Sequence, residues 1–322
     1  MSRFLKYALR SVVFLAVLAL LLTGVSQLLR PKNNSSSDGI HDPAANGILG
    51  EPENTIDLLI LGDSESYSAF IPMQLWQQRG YTAYCCGTSG QTLCYSEEFL
   101  HKAFRTQNPK VVVLETNAIF RNFSFGNTLL SEAGKLFPVF SYHNRWKTLK
   151  TSDLCMSAKY THIDNAKGYQ FTKGAAPADT GSYMQASDQL APIARQNRAY
   201  VERIKNYCDE NGAQLLLVST PSTANWNMAR HNSTQALADR LGVPFLDMNM
   251  TPEQVGIDWN TDTRDLGDHL NYFGAKKVTT ALGDYLLGAG LLSSHKDDPA
   301  YAGWDTEADA FDQTIADALA KT

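Results

Sequence analysis

Four short groups of residues in this 322-residue chain carry side chains that could perform chemistry together. They are Gly62-Asp63-Ser64, Gly87-Thr88-Ser89-Gly90-Gln91, Glu115-Thr116-Asn117 and Asp265-Leu266-Gly267-Asp268-His269. A serine hydroxyl is a weak nucleophile until a base removes its proton, and a histidine base needs a carboxylate to fix its tautomer. Of the seven histidines, His269 alone has carboxylates close by in a loop that leads into an apolar helical pattern. The pattern predicts nucleophilic catalysis by Ser64 with His269 as its base.

Two carboxylates are candidates for orienting the base. Asp265 lies four residues before His269, and Asp268 lies one residue before it. We favour Asp265, because a side chain adjacent in sequence must bend back sharply to reach its neighbour's imidazole. The alternative for this run is a solvated loop that caps the following helix. The alternative for Ser64 is the N-cap of a helix, a common position for serine.

Two further groups could stabilise the negative charge that forms when a serine attacks a carbonyl carbon. A glycine loop after a strand, here with Gly90 or Gly87, brings a backbone N–H close to a bound oxyanion. The side-chain amide of Asn117 can donate a hydrogen bond to the same oxygen. At Ser64, the free N–H groups at the start of a helix also favour a developing anion.

Five short apolar runs predict strands that are buried on both faces of a parallel sheet. They cover residues 56–61, 81–86, 111–115, 214–220 and 243–247. Helical patterns cover residues 71–79, 97–105, 187–211, 222–241 and 275–287. This alternation predicts an α/β fold with a doubly wound, mainly parallel sheet flanked by helices. Ligands bind beyond the carboxyl ends of such strands, where these groups stand.

Composition excludes several classes of function. Hydrophobic residues make up 43% of the chain, charged residues 19%, and the formal net charge is −5. This mildly acidic balance gives no basic surface for nucleic acid. The five cysteines lack metal-site spacing, and no dinucleotide-binding or P-loop glycine pattern is present. We therefore expect no nucleic-acid partner, no metal and no cofactor.

The N-terminal segment predicts a membrane anchor. Residues 1–10 are basic, and residues 11–29 form an uncharged apolar run close to the ~20 residues that span a bilayer. The basic flank favours a cytoplasmic N-terminus and an extracytoplasmic body. The alternative is a cleaved signal peptide, whose apolar region would usually be shorter. Residues 30–53 are rich in Ser, Asn and Gly, which predicts a flexible stalk.

The remaining segments divide into a body, an insertion and a tail. We expect the catalytic domain over residues 54–292, with residues 118–187 as a cap inserted over the catalytic face. His143, Arg145 and Trp146 in this insertion could contact a substrate. The alternative is that Trp146 packs the cap and Arg145 pairs with an acid. The tail, residues 293–322, is polar; either Trp304 and Phe311 dock a short helix there, or the end is frayed.

Taken in order, these groups resemble the blocks of the SGNH/GDSL hydrolase superfamily. Gly62-Asp63-Ser64 resembles the nucleophile block, Gly90 (or Gly87) the second block, Asn117 the third and the Asp/His run the last. The run 268–279 (DHLNYFGAKKVT) is similar to the histidine block of membrane-anchored bacterial cell-envelope members. Two blocks depart from the family pattern. The third is usually Gly-x-Asn-Asp and here is Glu115-Thr116-Asn117-Ala118, and Leu266 stands where the last block usually has Asp.

The resemblance implies an extracytoplasmic serine esterase or O-acyltransferase acting on acyl esters, acetyl esters above all, of a cell-surface glycan. It implies that the N–H groups of Ser64 and Gly90 and the side chain of Asn117 form the oxyanion hole. Water as acyl acceptor gives an esterase, and a sugar hydroxyl gives a transferase. Two alternatives stay open: a surface-anchored binding protein without activity, and an accessory subunit that works with a multi-span membrane protein as acyl donor.

Overall fold

Five parallel strands form one sheet in the computed structural model, which describes residues 3–122, 125–154 and 157–321. The strands are β1 (Leu58–Gly62), β2 (Ala83–Gly87), β3 (Val111–Glu115), β4 (Gln214–Ser219) and β5 (Phe245–Asp247). Their order across the sheet is β2-β1-β3-β4-β5. Each strand begins and ends within two residues of a predicted run, and every neighbouring pair is parallel. The predicted parallel α/β sheet is confirmed.

The helices of the described residues follow in chain order. They are α1 (Arg3–Leu29), α2 (Pro43–Asn46), α3 (Ser64–Ala69), α4 (Pro72–Arg79), α5 (Leu93–Ala103), α6 (Asn117–Phe120), α7 (Phe125–Leu136), α8 (Val139–Tyr142), α9 (Arg195–Glu210), α10 (Met228–Leu241), α11 (Pro252–Val255), α12 (Tyr272–Gly288) and α13 (Gly303–Ala320). Short 3₁₀ helices cover Ser36–Asp38, Gly47–Gly50, His143–Thr148, Thr151–Leu154 and Pro299–Tyr301.

The chain folds into two compact units. The sheet unit comprises Ala44–Asn122 and Ile163–Thr322, and the helical unit comprises Met1–Pro43 and Phe123–His162. In the sheet unit, α3, α4, α12 and α13 pack together beside β1 and β2, while α5 packs on β1 and β2 and α9 on β4. Alternate strand residues point to opposite faces, so fully buried strands need apolar side chains on both.

The register of the sheet brings the carboxyl ends of the first strands together. Gly62 of β1 pairs with Gly87 of β2, and Leu61 lies beside Leu114 of β3. Both glycines are required by close packing: a Cβ at Gly62 would lie 2.7 Å from the Cβ of Glu115, and one at Gly87 would lie 2.4 Å from the Oγ of Ser66. The loops that follow these strands therefore share one edge of the sheet.

Residues 44–53, predicted as part of a flexible stalk, pack within the sheet unit. Ala45 and Ile48 are buried in the sheet unit, and the Tyr84 hydroxyl donates to the carbonyl of Ala44 at 2.6 Å. The buried Glu51 carboxylate accepts a hydrogen bond from the buried ammonium of Lys167 at 2.8 Å. Apolar residues are sparse here and follow no helical or strand period, so the sequence pattern did not indicate burial.

The C-terminal tail docks as a helix and is not a frayed end. Trp304 and Phe311 of α13 are buried. Trp304 packs against Trp76 of α4 with ring centroids 5.6 Å apart, and the Trp76 indole N–H donates to Asp305 at 2.9 Å. Residues 303–320 therefore belong to the folded sheet unit.

In the helical unit, α1 is long and apolar enough to cross a bilayer. Its 27 residues span about 40 Å at ~1.5 Å per residue, and its most apolar window has a mean hydropathy of 2.5. A signal sequence shares these properties. Residues 139–154 pack on the carboxyl end of α1: the backbone N–H of Val139 donates to Ser26 Oγ at 3.1 Å. The predicted insertion (118–187) is thus divided between the two units.

Candidate active site

Ser64 is the first residue of α3 and is separated from the end of β1 by Asp63 alone. The N-cap of this helix is Asp63, whose Oδ1 accepts the backbone N–H of Glu65 at 3.0 Å. The Ser64 hydroxyl is therefore not used for capping. Its Oγ lies 2.7 Å from Nε2 of His269 instead. Capping and the contact with the candidate base are thus assigned to two adjacent residues.

His269 is held by Asp265 through two hydrogen bonds. The ring Nδ1 lies 2.7 Å from Asp265 Oδ2, and the backbone N–H of His269 donates to Asp265 Oδ1 at 2.6 Å. The nearest oxygen of Asp268 lies 3.6 Å from Nδ1. Because a carboxylate accepts, Nδ1 carries the hydrogen and Nε2 is free to accept the proton of Ser64. The structure brings Ser64, His269 and Asp265 into one continuous row.

An unusual backbone turn allows Asp265 to reach a histidine four residues later. Leu266 and Gly267 both adopt left-handed conformations, with φ of +61° and +92°. A Cβ at Gly267 would lie 2.0 Å from Thr223 Oγ1, so this backbone passes close to the loop after β4. The Ser222 hydroxyl fixes the contact by donating to the carbonyl of Gly267 at 2.9 Å. Together these interactions curl residues 265–269, the histidine loop, back on itself.

The segment 172–178, part of the predicted insertion, supports the histidine loop from the other side. The backbone N–H of Ala176 donates to the carbonyl of Thr263 at 2.8 Å, and that of Tyr272 donates to the carbonyl of Thr172 at 2.8 Å. Asn271 is the N-cap of α12, and its side-chain N–H donates to the carbonyl of Gly174 at 3.0 Å. The base thus stands between two anchored stretches of backbone.

We predict that Gly267→Ala lowers kcat/KM on an ester substrate by about 100-fold, the usual cost of a displacement of about 1 Å at a reacting group. The added methyl group collides with Thr223 and disfavours φ of +92°, so the histidine loop must move. Gly256→Ala is the matched control, since its φ is +78° but its Cβ would meet open space. It should cost about 1–2 kcal/mol of stability and leave kcat/KM near wild type. Steady-state kinetics and thermal denaturation of both variants check this, and equal activity losses would contradict it.

Gly90 and Asn117 line one cleft of about 310 Å³. Gly90 adopts φ of +62°, whereas Gly87 lies within β2 against Ser66. Asn117 begins α6 after β3, and its amide is fixed at both ends. Its Nδ2 donates to Asp63 Oδ2 at 3.0 Å, and its Oδ1 accepts from Arg230 Nη1 at 2.9 Å. One Nδ2 hydrogen remains for another acceptor.

Three carboxyl groups in this part of the sheet edge are buried, at Asp63, Glu65 and Glu115. Burial, reinforced by neighbouring carboxylates, raises the pKa of Glu65 and the pKa of Glu115 well above their ordinary values. Glu115, which replaces the usual glycine of the third block, accepts the backbone N–H of Asn117 at 3.0 Å. This departure from the family pattern therefore helps position Asn117.

Asp265, Asp268 and His269 are the group with metal-ligand spacing among the residues that the structure describes. Both ring nitrogens of His269 are already engaged, Nδ1 by Asp265 and Nε2 by Ser64. A metal ion bound by His269 would have to break one of these hydrogen bonds. The arrangement favours proton transfer between Ser64 and His269 as the use of this cluster.

No protein-family model matches this chain, and no curated protein matches it. The chain is similar to three solved structures, among others. A lipase/acylhydrolase from Enterococcus faecalis shares 11% identity over 73% of this chain and 97% of that chain, with a TM-score of 0.38. A psychrotrophic esterase from a Pseudoalteromonas species shares 11% identity over 72% and 97%, with a TM-score of 0.38. A GDSL-like lipase from Bacteroides thetaiotaomicron shares 12% identity over 72% and 88%, with a TM-score of 0.34. The function proposed below rests on the side-chain geometry of this chain.

The predicted substrate contacts His143, Arg145 and Trp146 belong to the helical unit, and Ser64 belongs to the sheet unit. Arg145 is buried, and its guanidinium donates to Asp153 at 2.8 Å and to the carbonyls of Asp38, Leu28 and Arg30. Arg145 therefore forms an ion pair within the fold, which was the alternative to its predicted contact with a substrate. Trp146 is exposed and His143 contacts the carbonyl of Phe140.

Sequence reasoning missed several residues that complete the site. Asn225 donates to Glu65 at 2.8 Å and to Asp268 at 2.5 Å. Arg121 pairs with Asp63, and Arg230 holds Asn117. Arg121 lies four residues after Asn117 and could have been noticed as a charged residue near the third block. The other two stand 161 and 166 residues after Ser64, and no local pattern indicates them.

Proposed function

We propose that this chain is a serine acyl hydrolase or acyltransferase that forms an acyl-enzyme on Ser64. The observation that carries the proposal is the row of two 2.7 Å contacts, Ser64 Oγ to His269 Nε2 and His269 Nδ1 to Asp265 Oδ2. A hydroxyl, an imidazole and a carboxylate in this order constitute an activated nucleophile. The position of Ser64 beyond the carboxyl end of β1 agrees with where parallel sheets bind ligands.

The proposed reaction has two halves. Ser64 Oγ attacks the ester carbonyl carbon as its proton passes to His269 Nε2, and the imidazolium is stabilised by Asp265. The carbon–oxygen bond to the alcohol then breaks, and His269 gives its proton to the departing alcohol. In the second half, water or a sugar hydroxyl loses its proton to His269 while attacking the acyl carbon. The bond from the acyl carbon to Ser64 Oγ then breaks, and His269 returns the proton to Ser64 Oγ.

The negative oxygen of each tetrahedral intermediate is held, in this proposal, by the backbone N–H groups of Ser64 and Gly90 and by Asn117. Support comes from the fixed amide of Asn117 and from its place in one cleft with Gly90. Fixed donors lose little energy in reorganisation as charge develops, which is why such sites are effective.

The proposed substrate is an acyl ester of a cell-surface glycan, acetyl esters above all, with the enzyme anchored by α1 and its body outside the cytoplasm. The length and hydropathy of α1, together with the basic residues in its N-terminal part, support this placement. With a glycan hydroxyl as acceptor the enzyme is an O-acyltransferase. A multi-span membrane protein would then be the source of the acyl group.

Covalent trapping tests the proposal. The full-length chain in detergent is treated with a fluorophosphonate, which transfers its phosphonyl group to an activated serine and releases fluoride. We expect one modification, mapped to Ser64 by peptide mass spectrometry. Ser68→Ala, on the same helix, is the matched control and should label like wild type. Ser64→Ala and His269→Ala should not label. Equal labelling of wild type and Ser64→Ala would overturn the assignment of Ser64, and no labelling of wild type would favour a binding protein without activity.

A further inference from the structure

Two arginines line the cleft that contains Gly90 and Asn117. Arg121 directly follows α6, and Arg230 lies in the first turn of α10. Burial lowers the pKa of Arg230, the negative charge of Glu115 opposes this effect, and the positive charge of Arg121 adds to it. Two like charges placed together in a partly buried position are unfavourable unless an anion accompanies them.

The two arginines are only partly occupied by protein groups. Arg121 Nε donates to Asp63 Oδ2, and its terminal nitrogens have no partner among the residues described. Arg230 Nη1 donates to Asn117 Oδ1 at 2.9 Å and to the carbonyl of Asn225. Within the described part of the chain, Nε and Nη2 of Arg230 have no partner. Each guanidinium is thus fixed on one side and keeps N–H donors for a ligand.

The carboxyl groups nearby, at Glu115, Glu65 and Asp63, stabilise the charge of Arg230 electrostatically but form no ion pair with it. Asp63 forms its ion pair with Arg121, and the Asp268 carboxylate accepts from Asn225. Glu65 and Glu115 are buried, and burial raises the pKa of each, which favours their neutral forms. Among the described residues, no carboxylate lies within ion-pair distance of Arg230. The Arg230 guanidinium packs over the Phe120 ring, 4.8 Å from the ring centroid.

We propose that Arg121 and Arg230 form a subsite for an anionic group, a carboxylate or a phosphate, on the substrate of Ser64. The proposal deepens the function proposed above and rests on it. A guanidinium presents parallel N–H donors that match carboxylate and phosphate oxygens, and such charge-assisted hydrogen bonds are strong where water is partly excluded. Since Arg230 also fixes Asn117, an anion bound there lies beside the donor proposed for the oxyanion.

Binding is tested first without turnover. Inorganic phosphate and succinate are titrated separately into the full-length Ser64→Ala protein by isothermal titration calorimetry, which distinguishes the two anion types. We expect at least one of them to bind, and adding Arg230→Gln to weaken that binding 10-fold or more. The control is Arg240→Gln, which removes the same charge from an exposed position on the same helix and should not alter binding. Arg230→Lys, which keeps the charge but not the planar donors, should weaken binding to an intermediate degree.

Turnover then connects the subsite to the reaction. The full-length enzyme is assayed with mono-p-nitrophenyl succinate and with neutral p-nitrophenyl pentanoate. The ratio of the two kcat/KM values should fall 10-fold or more in Arg230→Gln and stay unchanged in Arg240→Gln. No anion binding, or equal binding in the Arg230 and Arg240 variants, overturns the subsite. Anion binding through Arg230 without any Ser64-dependent turnover leaves the subsite standing and removes the proposed function.

Discussion

Replacing Ser64 with alanine is expected to lower kcat for hydrolysis of p-nitrophenyl acetate by about 10⁴- to 10⁶-fold, because the nucleophile of the proposed reaction is removed. His269→Ala should cause a loss of the same order, since the imidazole 2.7 Å from Ser64 Oγ is the base that takes its proton in the proposed reaction. The double variant should be scarcely worse than either single variant. Residues that act as one unit give such non-additive losses. Steady-state kinetics of the full-length chain in detergent measure all three.

The chain offers two matched controls for the histidine. His231 Nδ1 lies 2.7 Å from Asp247, and His295 Nε2 lies 2.7 Å from Asp57, so both form histidine–aspartate pairs like that of His269. Among the residues that the structure describes, neither imidazole forms a hydrogen bond with a serine. His231→Ala and His295→Ala should retain kcat within about 10-fold, with any loss arising from reduced stability. Comparable losses in all three histidine variants would show that folding, not proton transfer, explains the effect.

Much of the sheet could be predicted because its strands are short, continuous and apolar. Val111–Glu115 is buried along its whole length, so its five residues stand out from the polar residues on either side. Helix ends were harder to predict. The pattern predicts a helix from residue 187, whereas α9 begins at Arg195, and no apolar pattern marks the extent of α3, although a helix start at Ser64 is expected. Six residues after a strand give too little periodicity to reveal a helix.

Site residues in short local runs could be predicted from the sequence, whereas contacts between residues distant in sequence could not. Ser64, Asn117 and His269 each lie in a short run whose position at a strand or helix end can be inferred from the sequence. The preference for Asp265 over Asp268 followed from the reach of an adjacent side chain, and the structure places Asp265 nearer. The contacts of Arg230 with Asn117 and of Asn225 with Glu65 join residues more than 100 positions apart. Such pairs depend on how the strands cross over, which periodicity does not specify.

The folding of residues 44–53 could not be predicted from the sequence for a different reason. Glu51 is charged and stands among polar residues, and these properties are typical of a solvated linker. Its burial depends on Lys167, whose ammonium lies 2.8 Å from the Glu51 carboxylate and 4.9 Å from the ring centroid of Trp304. A buried ion pair is favourable only when both partners are present, so neither residue alone indicates it.

Asp265→Asn is expected to lower kcat/KM for p-nitrophenyl acetate by about 10⁴-fold, whereas Asp268→Asn should lower it by less than about 10-fold. In the Asp265 variant, the amide oxygen can still accept the backbone N–H of His269, so the loop is retained. The amide nitrogen then faces Nδ1, and two donors cannot share that contact. The imidazole must move its hydrogen to Nε2, where it can no longer accept the proton of Ser64.

The two aspartates make this comparison well controlled. Both lie in the histidine loop, both substitutions remove one negative charge, and their side chains are similarly exposed, at 39% and 44%. They differ in distance to His269 Nδ1, 2.7 Å for Asp265 against 3.6 Å for Asp268, whose other oxygen accepts from Asn225. A larger loss in Asp268→Asn would assign it as the orienting carboxylate. Small losses in both variants would mean that the imidazole needs no carboxylate, and the proposed proton transfer from Ser64 would then depend on His269 alone.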